Sequence, residues 1–197
     1  MQGDSIVDPL IRIVRHDPSW QLQFGQEQHR LQAAFPKAIP NLVHIGSTAV
    51  PGLPAKAIVD VMLGFANDTE LASSIHILPQ IGYSYCPEFE DVVPERRFFS
   101  VDRGDLGKFH LHAVIANRRF WDERILFRDH LIQSRDTAAA YCRLKRQLAR
   151  QFGHDRRAYS GGKSDFIATT LAALKGSEIS SPECQEADRT LLKVSGL

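Results

Sequence analysis

The stretch from Ala57 to Phe65 (AIVDVMLGF) is β-branched and apolar except for a single carboxylate, Asp60. Such a run reads as a buried strand. A carboxylate in apolar surroundings is costly unless it is paired or bound to a metal, so Asp60 is a candidate site residue. Upstream, Leu42-Val43-His44-Ile45 reads as another strand, stopped by Gly46-Ser47. The interval TAVPGLPAK (48–56) holds two prolines and a glycine and is expected to be a turn or one irregular helical turn.

The rest of the chain alternates in period. Asp17-Pro18 marks a helix start, Trp20, Phe24, Leu31 and Phe35 share its inner face, and Pro36 closes it. Asp68 or Thr69 is expected to cap a second helix using Leu71, Ile75 and Leu78, ended by Pro79 and Gly82. Strands are expected over Tyr83 to Cys86 and Arg97 to Val101. The latter joins Phe109 to Ile115 as a hairpin through the loop 102–107. Three helices follow: one with Trp121, Ile125 and Phe127, one begun near Asp136-Thr137, and one capped by Ser164-Asp165. The expected fold is therefore α+β, a small mixed sheet flanked by helices with further helices at the C-terminus. Residues 1–175 form one domain, and 176–197, rich in Gly, Ser, Glu and Pro, a polar flexible tail.

Three scattered cysteines, Cys86, Cys142 and Cys184, give neither a CxxC pair nor a disulfide framework, and they read as reduced cytoplasmic thiols. The chain shows no signal-peptide pattern and no apolar run long enough for a membrane span. Net charge is only +1, yet residues 92–163 carry 16 Lys/Arg against 8 Asp/Glu while residues 1–91 are acidic. That asymmetry points to an anionic ligand, with solvated helix faces as the plainer explanation. Nucleic acid ranks lower as a partner, because the pI near 7.8 is ordinary and no aromatic-basic platform stands out.

A strand that ends in Gly-Ser and opens into a turn exposes backbone N–H groups and a hydroxyl, which suits a phosphate. Gly46, Ser47 and Thr48 are therefore candidate phosphate-binding residues. The segment HIGSTAVPGLPAKAIVD, together with FHLHAV (109–114), LFRDHL (126–131), YCRLKRQLA (141–149) and AYSGGKSDFI (158–167), closely resembles the GrpB family. The likeness runs from about Val14 to Leu174. The resemblance implies the nucleotidyltransferase superfamily and its polymerase β-like fold, with the Gly-Ser turn at the rim of the sheet.

In that superfamily Gly-Ser holds a nucleoside triphosphate, while Asp-x-Asp/Glu and a carboxylate on a later strand bind two divalent ions. This chain keeps Gly46, Ser47 and Asp60 but has Met62 at the second acidic position. On the later strand the matching stretch is His110-Leu111-His112. Methionine does not ligate magnesium, a hard ion that prefers oxygen. His110 and His112 point to the same strand face, and with Asp60 they would form a two-histidine, one-carboxylate set that suits Zn, Mn, Fe or Ni better than Mg. The same pair also reads as ordinary polar decoration of a half-exposed sheet. The divalent metal implied is thus Mg, Mn or Zn. Lys56, Arg96, Arg97, Arg128, Tyr141, Lys145 and Lys163 are candidates for lining the same groove, with surface salt bridges as the alternative for each. Tyr141 and Lys145 are four apart, as are Tyr159 and Lys163, so each pair shares a helical face.

Three readings of function follow. One is a divergent nucleotidyltransferase acting on an unidentified acceptor. Another is an inactive binding module for a nucleotide or other phosphate-bearing small molecule, linked to nucleotide or coenzyme A metabolism. This accords with relatives fused to dephospho-coenzyme A kinase. The third is a transition-metal enzyme built on Asp60, His110 and His112.

Overall fold

A computed structural model describes residues 10–35, 41–91 and 93–179. Five strands form one mixed sheet: β1 (Asn41–Ile45), β2 (Val59–Phe65), β3 (Ser84–Tyr85), β4 (Arg97–Asp102) and β5 (Lys108–Ile115), in the order β1-β2-β5-β4-β3. The central pair, β2 and β5, is parallel, and the other pairings are antiparallel. The α+β architecture and the hairpin of β4 with β5 agree with the sequence pattern.

Strand alternation gives the sheet two different faces. Val59, Val61, Leu63 and Phe65 of β2 join Phe109, Leu111, Ala113 and Ile115 of β5 on one face. There they pack against Trp20, Phe24 and Leu31 of α1 (Ser19–Ala34) and Leu71 of α2 (Asp68–Ile77). Burying each such large apolar side chain contributes about 1.5–3 kcal/mol. The opposite face carries Asp60 and Met62 beside His110, His112 and Val114. At one end of it, α3 (Arg119–Gln133) lowers Phe120 and Trp121 onto Ile45, Met62 and Val114. Gly64 makes that approach feasible, because a Cβ there would lie 2.6 Å from the Trp121 ring. The other end, with Asp60 and the two histidines, remains partly accessible.

The helices α4 (Arg135–Gln151), α5 (Arg156–Gly161) and α6 (Ser164–Ile179) wall this open end. Val50 and Leu53, from the turn after Gly46, pack with Phe127, Leu131, Tyr141 and Leu171. The turn between β1 and β2 is thereby held against the helices. Val14 pairs with Ala55, and Ile11 packs with Leu148 and Tyr159, which ties the first described segment to the same region.

Several boundaries differ from the sequence expectation. The cap of α2 is Asn67, whose side chain accepts from the Glu70 backbone N–H at 2.9 Å, in place of Asp68 or Thr69. Glu70 returns a contact to the Ala66 N–H at 3.2 Å, so the reciprocal pair fixes the start one residue earlier. Ser134 caps α4, and α5 is an additional short helix capped by Asp155. Residues 176–179 continue α6, so the helix extends into what composition marked as tail. Pro36 and residues 180–197 lie outside the described residues. Among the described residues no helix is long and apolar enough to cross a membrane.

Candidate functional site

The site begins where β1 ends. Register pairs Ile45 with Asp60, so the next residue, Gly46, lies against the Asp60 side chain. Gly46 has φ 70° and ψ −167°, a region open in practice only to glycine. A Cβ on it would stand 2.5 Å from Asp60 Oδ2. Backbone conformation and space therefore both require glycine here, and the carboxylate rests against the chain at the turn.

On the neighbouring strand, His110 Nδ1 and His112 Nε2 each lie 3.5 Å from the same Asp60 oxygen, Oδ1. Phe98 of β4 meets both imidazoles edge-on, at centroid distances of 5.1 and 5.2 Å. The Arg96 guanidinium covers Phe98 at 4.8 Å, and its Nη1 is 3.2 Å from His112 Nδ1. Burial works to raise the Asp60 carboxyl, but the His110 and His112 contacts outweigh it and hold the group below the usual carboxylate range. Burial pushes His112 down to about 4, with Arg96 opposing its charge and Asp60 favouring it, so the ring is neutral at neutral pH.

The proton on that neutral ring has a determined place. A guanidinium only donates, so His112 Nδ1 accepts from Arg96 and the ring hydrogen sits on Nε2, facing Asp60. At 3.5 Å this N–H is too far from Oδ1 for a well-formed hydrogen bond. His112 Nε2 and Arg96 Nε are both buried nitrogens left without one.

The helical wall adds cations. Arg124 of α3 lies over the Phe120 ring at 4.7 Å. Burial pushes the Tyr141 phenol up, with the neighbouring Ser47 side chain opposing the shift. Lys145 Nζ donates to the Pro54 carbonyl at 2.6 Å and lies 5.0 Å from the Tyr141 ring. Lys163 and Lys56 stand over the Tyr159 ring at 4.6 and 5.3 Å. Arg96, Arg124, Lys145 and Lys163 all sense the Asp60 charge. Burial pushes Lys145 down to about 7, with Lys163 adding to the effect. Lys163 is pushed down to about 8 by burial and then by the Lys56 charge. The cleft thus concentrates positive charge around one carboxylate, an arrangement that favours an anionic guest.

Gly46, Ser47, Asp60, His110, His112, Lys56, Tyr141, Lys145 and Lys163 are therefore brought together in one region. Three other candidates are placed elsewhere. Thr48 is buried with its Oγ1 2.9 Å from His44 Nε2, on the α1 side of β1. Arg97 alternates to the far face and pairs with Glu90 at 2.9 Å. Arg128 donates to the His44 carbonyl at 2.9 Å and is bridged to Asp129 at 2.7 Å.

Arg124 was missed, although the sequence holds a signal for it. It interrupts the inward stripe Phe120, Phe127, Leu131 of α3, just as Lys145 sits between Tyr141 and Leu148 in α4.

The metal sets considered from sequence fit poorly. Met62 is fully buried in an apolar cluster. The His112 nitrogen facing Asp60 carries a proton, whereas a metal ligand presents a lone pair. Both imidazoles address one carboxylate oxygen. Among the described residues no group of three or more His, Cys, Asp and Glu side chains is arranged to hold a metal ion.

Comparison with known proteins places these features in a family. The GrpB protein family profile matches residues 10–173. A UPF0157 protein of Pseudomonas aeruginosa is 34% identical over 167 residues, covering 83% of this chain and 67% of the relative. The UPF0157 protein YqkA of Bacillus subtilis is 29% identical over 159 residues, and the match spans 81% of this chain but only 46% of that relative. The crystal structure of the conserved protein GrpB from Enterococcus faecalis superposes with a TM-score of 0.71 at 26% identity, covering 82% of this chain and 96% of that one. By the match across nearly all its described length, this chain belongs to the GrpB family.

Proposed function

We propose that the chain is a divergent nucleotidyltransferase-fold protein that binds a nucleotide or another phosphate-bearing small molecule in the cleft between the Gly46-Ser47 turn and the C-terminal helices. The observation that carries this reading is the excess of buried and half-buried cations around Asp60, with Lys145 and Lys163 pushed down to about 7 and about 8 by burial and by neighbouring charge. Cations held at such a cost are stabilised by an anion, and phosphate oxygens match them as acceptors. Gly46 lets a ligand approach the backbone, and Ser47 adds a hydroxyl. Two-metal nucleotidyl transfer has weaker support, since Met62 and the histidines stand where that chemistry needs carboxylates.

Thermal unfolding in a panel of nucleoside triphosphates and coenzyme A derivatives tests the reading. A true ligand at about 100 times its Kd adds about 2.7 kcal/mol of stability, a shift of roughly 5–11 °C for a chain of this size. Lys163→Met should remove that shift without lowering the unfolding temperature of the free protein, because it relieves a desolvated charge. If no phosphate-bearing compound moves the transition, the reading is wrong.

A further inference from the structure

We propose that Arg96 and Arg124 take the place of divalent cations in this cleft, so that the chain holds its phosphate-bearing ligand through fixed guanidinium charge and without a metal ion. The proposal rests on the phosphate-binding reading above and specifies how the ligand's charge is met.

Three features support it. First, the position that would carry a second metal-binding carboxylate is Met62, fully buried under Phe120 and Trp121. Second, Arg96 fixes His112 as an N–H donor toward the cleft carboxylate, through the 3.2 Å contact to Nδ1. A ring held in that tautomer offers a proton to an incoming oxygen and no lone pair to a metal. Asp60 Oδ1 lies 3.5 Å from that ring and from His110, too far for a well-formed hydrogen bond to either. Third, burial disfavours the charge of both guanidinium groups, Arg124 lies close enough to disfavour that of Arg96 further, and Asp60 favours both. Arg124 has no carboxylate within ion-pair distance among the described residues, since its neighbour Glu123 pairs with Lys175 at 2.9 Å. Among the described residues, the Arg96 Nε–H and the His112 Nε2–H are buried donors without acceptors. Two like charges and two unmet donors around one cleft call for a guest made of acceptors, and a phosphate chain is such a guest.

The test is calorimetric titration of inorganic triphosphate into the purified protein, once in chelator and once in saturating magnesium. Binding in chelator at least as tight as in magnesium is expected, because magnesium neutralises the very charge the guanidiniums recognise. Arg124→Gln should weaken binding in chelator by about tenfold or more. Asp60→Asn should still bind in chelator, because no metal-bridging carboxylate is required. Nitrogen NMR of His112 should show Nε2 protonated and Nδ1 bare in the wild type, with that preference lost in Arg96→Gln.

Binding that appears only with magnesium and vanishes in Asp60→Asn would overturn the proposal while leaving the phosphate site standing. A protonated Nδ1 in the wild type would overturn the tautomer argument and the proposal with it. Binding in neither condition would overturn both the proposal and the phosphate site.

Discussion

Gly46 joins the turn to the site. Its φ of 70° with ψ of −167° leaves no alternative residue, and the Asp60 carboxylate occupies the space of the missing Cβ. Gly46→Ala should therefore cost about 1–3 kcal/mol in urea denaturation. It should also obstruct the close approach of a ligand to the backbone at the turn and so weaken binding. Wild-type stability in that variant would mean that the turn relaxes freely. The Gly-Ser pair and Asp60 were readable in sequence, because a glycine after an apolar run and a lone carboxylate inside one both violate the surrounding pattern. His110 and His112 were readable as sharing a face, though not as facing Asp60, since that depends on the parallel register of β2 with β5. Lys145 was readable as sharing a face with Tyr141, whereas Arg124 escaped notice because basic residues on helices are mostly solvated. Only its place inside the apolar stripe of α3 marks it.

At the scale of elements, a buried polar network on the other face of the sheet holds α1 to the loop between β4 and β5. Glu27 of α1 is 1% exposed and receives Arg103 Nε at 2.8 Å and Nη2 at 2.6 Å, with Tyr83 donating at 3.0 Å. Arg103 also donates to the Ile81 carbonyl at 3.2 Å, so one guanidinium ties three segments together. Removing one member strands the other charge in the interior. Arg103→Ala should cost about 3–5 kcal/mol, while replacing Glu27 and Arg103 together with apolar residues should cost much less. Equilibrium unfolding of both variants checks this, and equal losses would contradict it. Nothing in the sequence announced the network, since Glu27 and Arg103 are 76 positions apart. Element existence was legible from hydrophobic period, whereas start points were not. Asn67 displaced Asp68 or Thr69 as a cap, and Asp155 opened a helix too short to show a period.

Across the whole molecule, the positive charge of residues 92–163 includes two contrasting populations. One lines the cleft: Arg96, Arg124, Lys145 and Lys163. The other is solvated on α4 and α5, including Arg143, Arg146, Arg150, Arg156 and Arg157. Sequence counts could not separate them, because burial is decided by which helix faces meet the sheet. They differ in pH response. Lys145, which faces Cys142, Lys163, Asp60 and Arg146, is pushed down to about 7. Lys163, which faces Lys56, Asp60 and Arg124, is pushed down to about 8. An anion prefers the protonated form of each, so affinity is full below about pH 7 and falls as pH rises through these two values.

The most direct measurement is an NMR titration with inorganic triphosphate, run below pH 7 and again well above 8, following the Gly46 and Ser47 backbone amides and the Arg96 and Arg124 side-chain Nε–H signals. Saturable shifts at these four sites at the lower pH, with weaker binding at the higher, are the predicted result. Shifts confined to the exposed arginines of α4 and α5, or none at Gly46 and Arg124, would contradict the account.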